Sequence, residues 1–156
     1  MNFPFAKLHG LGNHRLVAEE GGLPRSIRKF SRAILGRHTG IGADGLLVIR
    51  PSRDSSHTAQ LPIFDEDGSE AETPGNGLRC AGAFLADLLP IKNTLLIETP
   101  EGLKSLEKVK EAKGTWLIRA GVGAPILEPA KIPFKGSPRP RLSRLTNCTL
   151  SKARYS

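Results

Sequence analysis

The spacing of apolar residues changes period several times along the chain, and each change marks an element. Phe3 to Leu8 mixes apolar and polar positions as a strand does, and His9-Gly10-Leu11-Gly12-Asn13 turns it into a second strand, His14 to Glu19. Gly21-Gly22 closes that strand. Pro24 then suits the first turn of a helix with Ile27, Phe30, Ile34 and Leu35 on one stripe, stopped by Gly36. A strand is expected at Leu46 to Arg50, a polar loop at Pro51 to Gln60 and a short strand at Leu61 to Asp65. Leu78, Ala81, Phe84, Leu85 and Leu88 fall on one helical face, while Cys80, Ala83 and Leu89 make the other faces almost as apolar. Only Arg79 and Asp87 are charged between Leu78 and Leu89, so this second helix is expected to be buried on most sides and to end at Pro90. Three strand-like pieces follow, Thr94 to Thr99, Leu103 to Val109 and Thr115 to Ala120, separated by turns at Pro100-Glu101-Gly102 and Glu111 to Gly114. They read as a β-meander.

At 156 residues the chain is long enough for one domain with its own core and too short for two typical ones. No stretch approaches the roughly 18 to 20 apolar residues of a membrane span, and the N-terminus lacks the layout of a signal peptide. A cytoplasmic location is the resulting expectation. Cys80 and Cys148 show neither metal spacing nor a disulfide framework and read as free thiols.

The net charge of +8 raises the question of nucleic acid, but its distribution answers it. All 15 acidic residues precede residue 131, whereas 7 of the 23 basic ones lie within residues 131–156. The body is close to neutral. Residues 136–156, with Ser137-Pro138-Arg139-Pro140-Arg141, hold too few apolar residues to specify packing and read as a mobile basic tail behind a domain of residues 1–135. Nucleic-acid binding through that tail ranks last among the functions, since Tyr155 alone supplies an aromatic there.

Candidate chemistry centres on residues 63–89. There an acidic strand end and a Gly-rich turn, Gly75-Asn76-Gly77, lead into the apolar helix, whose first NH groups are aimed out of the turn as an anion site. Asp65, Glu66, Asp67, Glu70 and Glu72 do not follow EF-hand spacing, so no metal is expected. Gly40, Gly42 and Gly45 precede a strand instead of opening a helix, which excludes a dinucleotide fingerprint. His38 beside them reads as structural. Arg25, Arg28, Lys29 and Arg32 read as the solvated face of the first helix rather than a phosphate site.

The run Phe64-Asp65-Glu66-Asp67-Gly68-Ser69-Glu70-Ala71-Glu72-Thr73-Pro74-Gly75-Asn76-Gly77-Leu78-Arg79-Cys80 resembles the diaminopimelate epimerase family, whose pattern here is roughly F-N-x-D-G-S-E-A-E-M-C-G-N-G-x-R-C. His9-Gly10-Leu11-Gly12-Asn13, Arg37-His38-Thr39-Gly40-Ile41-Gly42-Ala43-Asp44-Gly45 and the segment from Gly121 to Pro129 are similar to the same family. The resemblance implies an α+β fold in which a curved, mixed, largely antiparallel sheet wraps a central helix, one half of a two-domain enzyme. It further implies cofactor-independent epimerisation of diaminopimelate in lysine biosynthesis, with one thiol from each domain on either face of the substrate α-carbon. Asn13, Asp65, Gly75, Asn76 and Gly77 inherit substrate-binding roles by that resemblance.

Three departures matter. Pro74 stands where the family carries its first catalytic cysteine, and it offers neither an acid/base group nor a backbone NH. Asp65 replaces an asparagine, and an ionised Asp accepts but does not donate. His14-Arg15 replaces the family's Asp-Phe. Cys80 lies six residues beyond Pro74, about 9 Å along a helix axis and on another face, and reads as a buried structural thiol. The resemblance covers only the first domain, so no catalytic group is intact and the isolated chain is expected to be inactive. The alternative classes are a non-catalytic module that binds an amino-acid carboxylate and one that oligomerises or accepts a separate second-domain chain. No cofactor or membrane partner is expected.

Overall fold

The computed structural model describes residues 3–89, 94–124 and 128, together with the backbone of 151–155. Its strands are β1 (Ala6–Gly10), β2 (Asn13–Glu19), β3 (Leu46–Ile49), β4 (Ala59–Gln60), β5 (Ile63–Phe64), β6 (Leu95–Thr99), β7 (Gly102–Ala112), β8 (Thr115–Gly121) and β9 (Ser151–Tyr155), with helices α1 (Ile27–Leu35) and α2 (Gly75–Leu88). They form a sheet of order β4-β6-β7-β8-β9-β1-β2-β3-β5. Pairings are antiparallel except β2–β3 and β4–β6. An isolated bridge between Arg50 and Gln60 joins the end of β3 to β4, so the sheet curls almost back on itself. The α+β architecture expected from the sequence is present.

The two faces of β2 explain the layering. Residues alternate across a strand, so Arg15 and Val17 face one way and Leu16 and Ala18 the other. Val17 joins Leu8, Leu47, Ile63, Ile97, Leu106, Trp116 and Ile118 around α2, whereas Leu16 joins Leu46, Val48 and Phe64 under Ile34 and Leu35 of α1. β2 is therefore buried on both sides from Arg15 to Ala18. Because α2 touches strands from β1 to β3 and from β7 to β9, its buried surface extends from Gly77 to Ala83 and includes Leu85. Gly82 permits the closest approach: a Cβ there would stand 2.9 Å from Ile118 Cγ2 and 3.3 Å from Leu106 Cδ1.

Several boundaries differ from the sequence reading. α2 starts at Gly75, before its apolar stripe begins, and reaches Leu88; Pro90 lies outside the described residues. The piece expected as one strand from Leu61 to Asp65 is divided. β4 and β5 flank Leu61-Pro62, where Pro62 lacks an NH but its carbonyl still accepts from Val48 N at 3.0 Å. The backbone of Ser151–Tyr155, inside the segment read as a mobile tail, runs antiparallel to both β1 and β8. Residues 136–150 and 156 of that segment lie outside the described residues.

Two tight hairpins set the register. Leu11 (φ 56°) with Gly12 (φ 83°), and Lys113 (φ 50°) with Gly114 (φ 68°), take the left-handed conformations that match the twist of two-residue hairpins. At the first of them it is Leu11, not Gly10, that accepts the strained angle. Leu11 is 71% exposed.

Candidate ligand site at the start of the central helix

Five chain segments meet at one end of the sheet. Gly10 closes β1, Asn13 opens β2, Asp44-Gly45 leads into β3, Asp65 leaves β5 and Gly75 begins α2. Their proximity follows from what each glycine admits. A Cβ on Gly10 would stand 3.5 Å from Asn76 Cβ, and one on Gly77 would stand 3.3 Å from Leu47 Cδ2, so the first turn of α2 sits over β1 and β3. A Cβ on Gly45 would stand 2.1 Å from Arg15 Nη1 and 3.2 Å from the Phe64 carbonyl. Only glycine leaves room for that guanidinium.

Pro74 occupies the N-cap of α2 in extended conformation, φ −74° and ψ 144°, with no side-chain cap. Its carbonyl accepts the first helical hydrogen bond, from Leu78 N at 3.1 Å. The amides of Gly75, Asn76 and Gly77 are the first of the helix and find no acceptor among the described residues. They carry the positive end of the helix dipole. Asn76 is turned by its neighbour: its Oδ1 accepts from Arg79 Nη2. The Arg79 guanidinium also lies beside Gly75, Nη1 being 3.5 Å from where a Cβ would stand.

Asn13 is held from both ends of its amide. Its Nδ2 donates to Asp44 Oδ2 at 3.2 Å, and its Oδ1 accepts from Arg15 Nε at 3.0 Å. One amide hydrogen is left to meet a ligand. Asp44 also takes the backbone NH of His14 at 2.7 Å and the guanidinium of Arg37. The glycine loop before β3 is thereby tied to the β1–β2 hairpin. Asp65 is half-buried at the end of β5 and opens a turn in which its carbonyl accepts from Gly68 N at 2.9 Å; its carboxylate accepts nothing from the described residues.

The remaining acidic residues of that run point elsewhere. The Asp67 carbonyl accepts from Arg32 Nε, and Glu70 lies 4.0 Å from Arg28. The basic face of α1, read from the sequence as solvated, therefore also anchors the acidic turn. Among the described residues no three or more of His, Cys, Asp and Glu converge as a metal-holding group.

Cys80 is fully buried one turn into α2. Burial pushes its thiol up to about 11, against the opposing charges of Arg15 and Arg79. A thiol so placed is neither a proton acceptor near neutral pH nor at the helix start. Sequence reasoning did not assign Arg15 or Arg79 to the site, although both are nine-tenths buried there, at 7% and 9% exposure. The available signal was the departure from the family pattern at Arg15 and the lone cation on the apolar face that begins α2.

The curved sheet around a central helix is a fold shared with solved structures. A probable proline racemase from Agrobacterium radiobacter K84 is similar over 76% of this chain and 41% of its own, with TM-score 0.60 and 17% identity. The family model for diaminopimelate epimerase matches residues 5–126, and the chain belongs to that family. It is 38% identical over 141 residues to a diaminopimelate epimerase of Methanococcus maripaludis and 37% identical over 133 residues to one of Acetivibrio thermocellus. Those matches cover 87% and 83% of this chain but 49% and 46% of the relatives. The chain spans about half the length of the curated relatives it matches. Among the described residues no helix is long and apolar enough to cross a membrane.

Proposed function

We propose that this chain binds the carboxylate of a small amino-acid-like ligand at the start of α2 and does not by itself epimerise it. The observation that carries the reading is the contrast within one turn: the amides of Gly75, Asn76 and Gly77 have no acceptor among the described residues, while Pro74 supplies no acid/base group beside them. Backbone NH groups at a helix start bind anions through hydrogen bonds and the helix dipole. Inversion at an α-carbon also needs proton removal on one face and delivery on the other. A general acid/base group contributes about 10²- to 10⁴-fold in rate. Cys80, buried on another face with its thiol raised to about 11, does not replace one.

The direct test is exchange of the α-proton of diaminopimelate with solvent deuterium, followed by proton NMR, alongside carboxylate titrations of labelled protein. The reading expects amide shifts at Gly75 to Gly77 and no exchange above the protein-free rate. Exchange at an enzyme-like rate would overturn it.

A second reading concerns assembly. Leu11 and Val122 are 71% and 57% exposed, and Val122 Cγ1 lies 3.9 Å from where a Gly75 Cβ would stand. An apolar rim beside the turn suits a second chain that completes the site, either another copy or a separate second domain. A strict monomer by sedimentation at high concentration, with no association with a second-domain polypeptide of the family, would count against it.

A further inference from the structure

Arg15 differs from Arg37, the arginine tied to the same loop before β3. Arg37 meets the Asp44 carboxylate, whereas Arg15 meets only neutral acceptors, Asn13 Oδ1 at 3.0 Å and the Asp44 carbonyl at 3.1 Å. No carboxylate of the described residues lies within ion-pair distance of it, and the residue is 7% exposed. A buried charge without a counter-ion is costly, and a site that retains one gains when an anion arrives. Arg15 projects from the face of β2 that carries Val17 and is covered by α2. Arg79 adds a second buried cation beside Gly75, and Lys104 is a more exposed one whose Nζ donates to the Val122 carbonyl at 3.3 Å. Asp44 is the acidic residue in contact with Arg15, through its carbonyl, but its carboxylate is taken by Asn13 Nδ2, His14 N and Arg37; two further acidic groups are Asp65 at the end of β5 and Glu101, whose Oε1 accepts from Thr73 N at 3.0 Å. Neither is an ion-pair partner of Arg15.

We infer that Arg15 is a specificity-determining residue of this turn, and that its uncompensated charge makes the site prefer a compact dicarboxylate over a zwitterionic amino acid. The inference rests on the carboxylate-binding reading above. An amino acid carries its ammonium one carbon away from its carboxylate, so whatever Arg15, Arg79 and the helix start gain from the carboxylate they lose in part to the ammonium. A second carboxylate in place of the ammonium reverses the sign of that term. In the family pattern the corresponding residue is phenylalanine, which carries no such charge.

Titration of the full chain with malonate, acetate and glycine, read by amide shifts at Gly75 to Gly77, tests the inference in the wild type and in Arg15→Gln, Arg15→Phe and Arg15→Lys, each checked for folding by circular dichroism. The expected result is malonate binding at least about tenfold tighter than glycine in the wild type, a ratio lowered severalfold in Arg15→Gln and Arg15→Phe, and a retained ratio in Arg15→Lys. A merely structural Arg15 would leave the malonate-to-glycine ratio unchanged while lowering stability. Equal binding of all three probes by the wild type, or an unchanged ratio in folded Arg15→Gln, overturns the inference and leaves carboxylate binding standing. Absence of binding by every probe overturns both. Should the neutral variants fail to fold, the wild-type ratio and its retention in Arg15→Lys decide the matter: a ratio near one in either sinks the inference.

Discussion

Two polar regions of the molecule solve the same problem in opposite ways. Around Glu98, on β6, every neighbour is a donor matched to one carboxylate: Ser52 Oγ, His57 Nδ1 at 2.8 Å and Gln60 Nε2 at 2.8 Å. The group lies beside a cavity of about 180 Å³ between Arg50, Gln60 and Pro100, and it fastens the loop after β3 to the sheet. Beside the start of α2, by contrast, Arg15 is buried with only neutral acceptors among the described residues, and three amides find no acceptor among them. In the first region the carboxylate is matched by donors of the protein itself. The second retains uncompensated positive charge in a setting where hydrogen bonds count for more than in water. Polar satisfaction, more than the number of polar residues, separates a structural cluster from a binding site.

Substitutions rank this contrast, and the largest effect belongs to the apolar scaffold beneath the α2 turn. Leu78 is fully buried between α2 and the sheet, so Leu78→Ala is expected to cost about 2–5 kcal/mol in urea denaturation. Gly82→Ala comes next. Its methyl would stand 2.9 Å from Ile118 Cγ2, and overpacking of this kind costs about 1–3 kcal/mol, partly offset by the better helix propensity of alanine.

Glu98→Gln should lower the urea midpoint by less than either, because its side chain is 28% exposed and solvent screens the interactions it makes. Its signature is in pH. The Ser52 hydrogen bond first, then His57 and Gln60, hold the Glu98 carboxyl below its ordinary value of 4.5. The stability it contributes is therefore complete above that pH and lost as pH falls through the lowered value. Wild-type melting temperature should drop along that acid limb, and the Glu98→Gln difference should shrink with it. A difference that grows toward acid would contradict the assignment. The smallest effect is expected for Asp67→Ala, an exposed turn residue whose carboxylate accepts from the amide and hydroxyl of Ser69: a slight fall in midpoint with no change in ligand titrations.

The parts of the fold that were legible in the sequence are those where one local pattern decides. The apolar stripe of α2 and the alternation of β6 to β8 fix buried faces whatever surrounds them. Lys113-Gly114 announced its hairpin by turn chemistry alone. Less legible were features that depend on a distant partner. β4 and β5 are two residues each, and their pairing depends on β6 and β3. The pairing of Ser151–Tyr155 beside β1 is a matter of backbone edges, which composition does not encode. The candidate site was read in part. The Gly-rich turn does come against the end of β1, where Asn76 lies beside Gly10, but the hold of Arg15 on Asn13 and of Arg79 on Asn76 required coordinates. Charged residues on apolar faces look like interruptions in a sequence; here they line the turn.

The central claim is that the start of α2 retains anion binding and has lost proton transfer at position 74. Deuterium wash-in at the α-carbon of diaminopimelate, measured on the wild-type chain at several protein concentrations, tests it most directly. The account predicts a rate indistinguishable from that of buffer, although the same ligand shifts the amides of Gly75, Asn76 and Gly77. Wash-in that rises in proportion to protein and reaches enzyme-like turnover would contradict it.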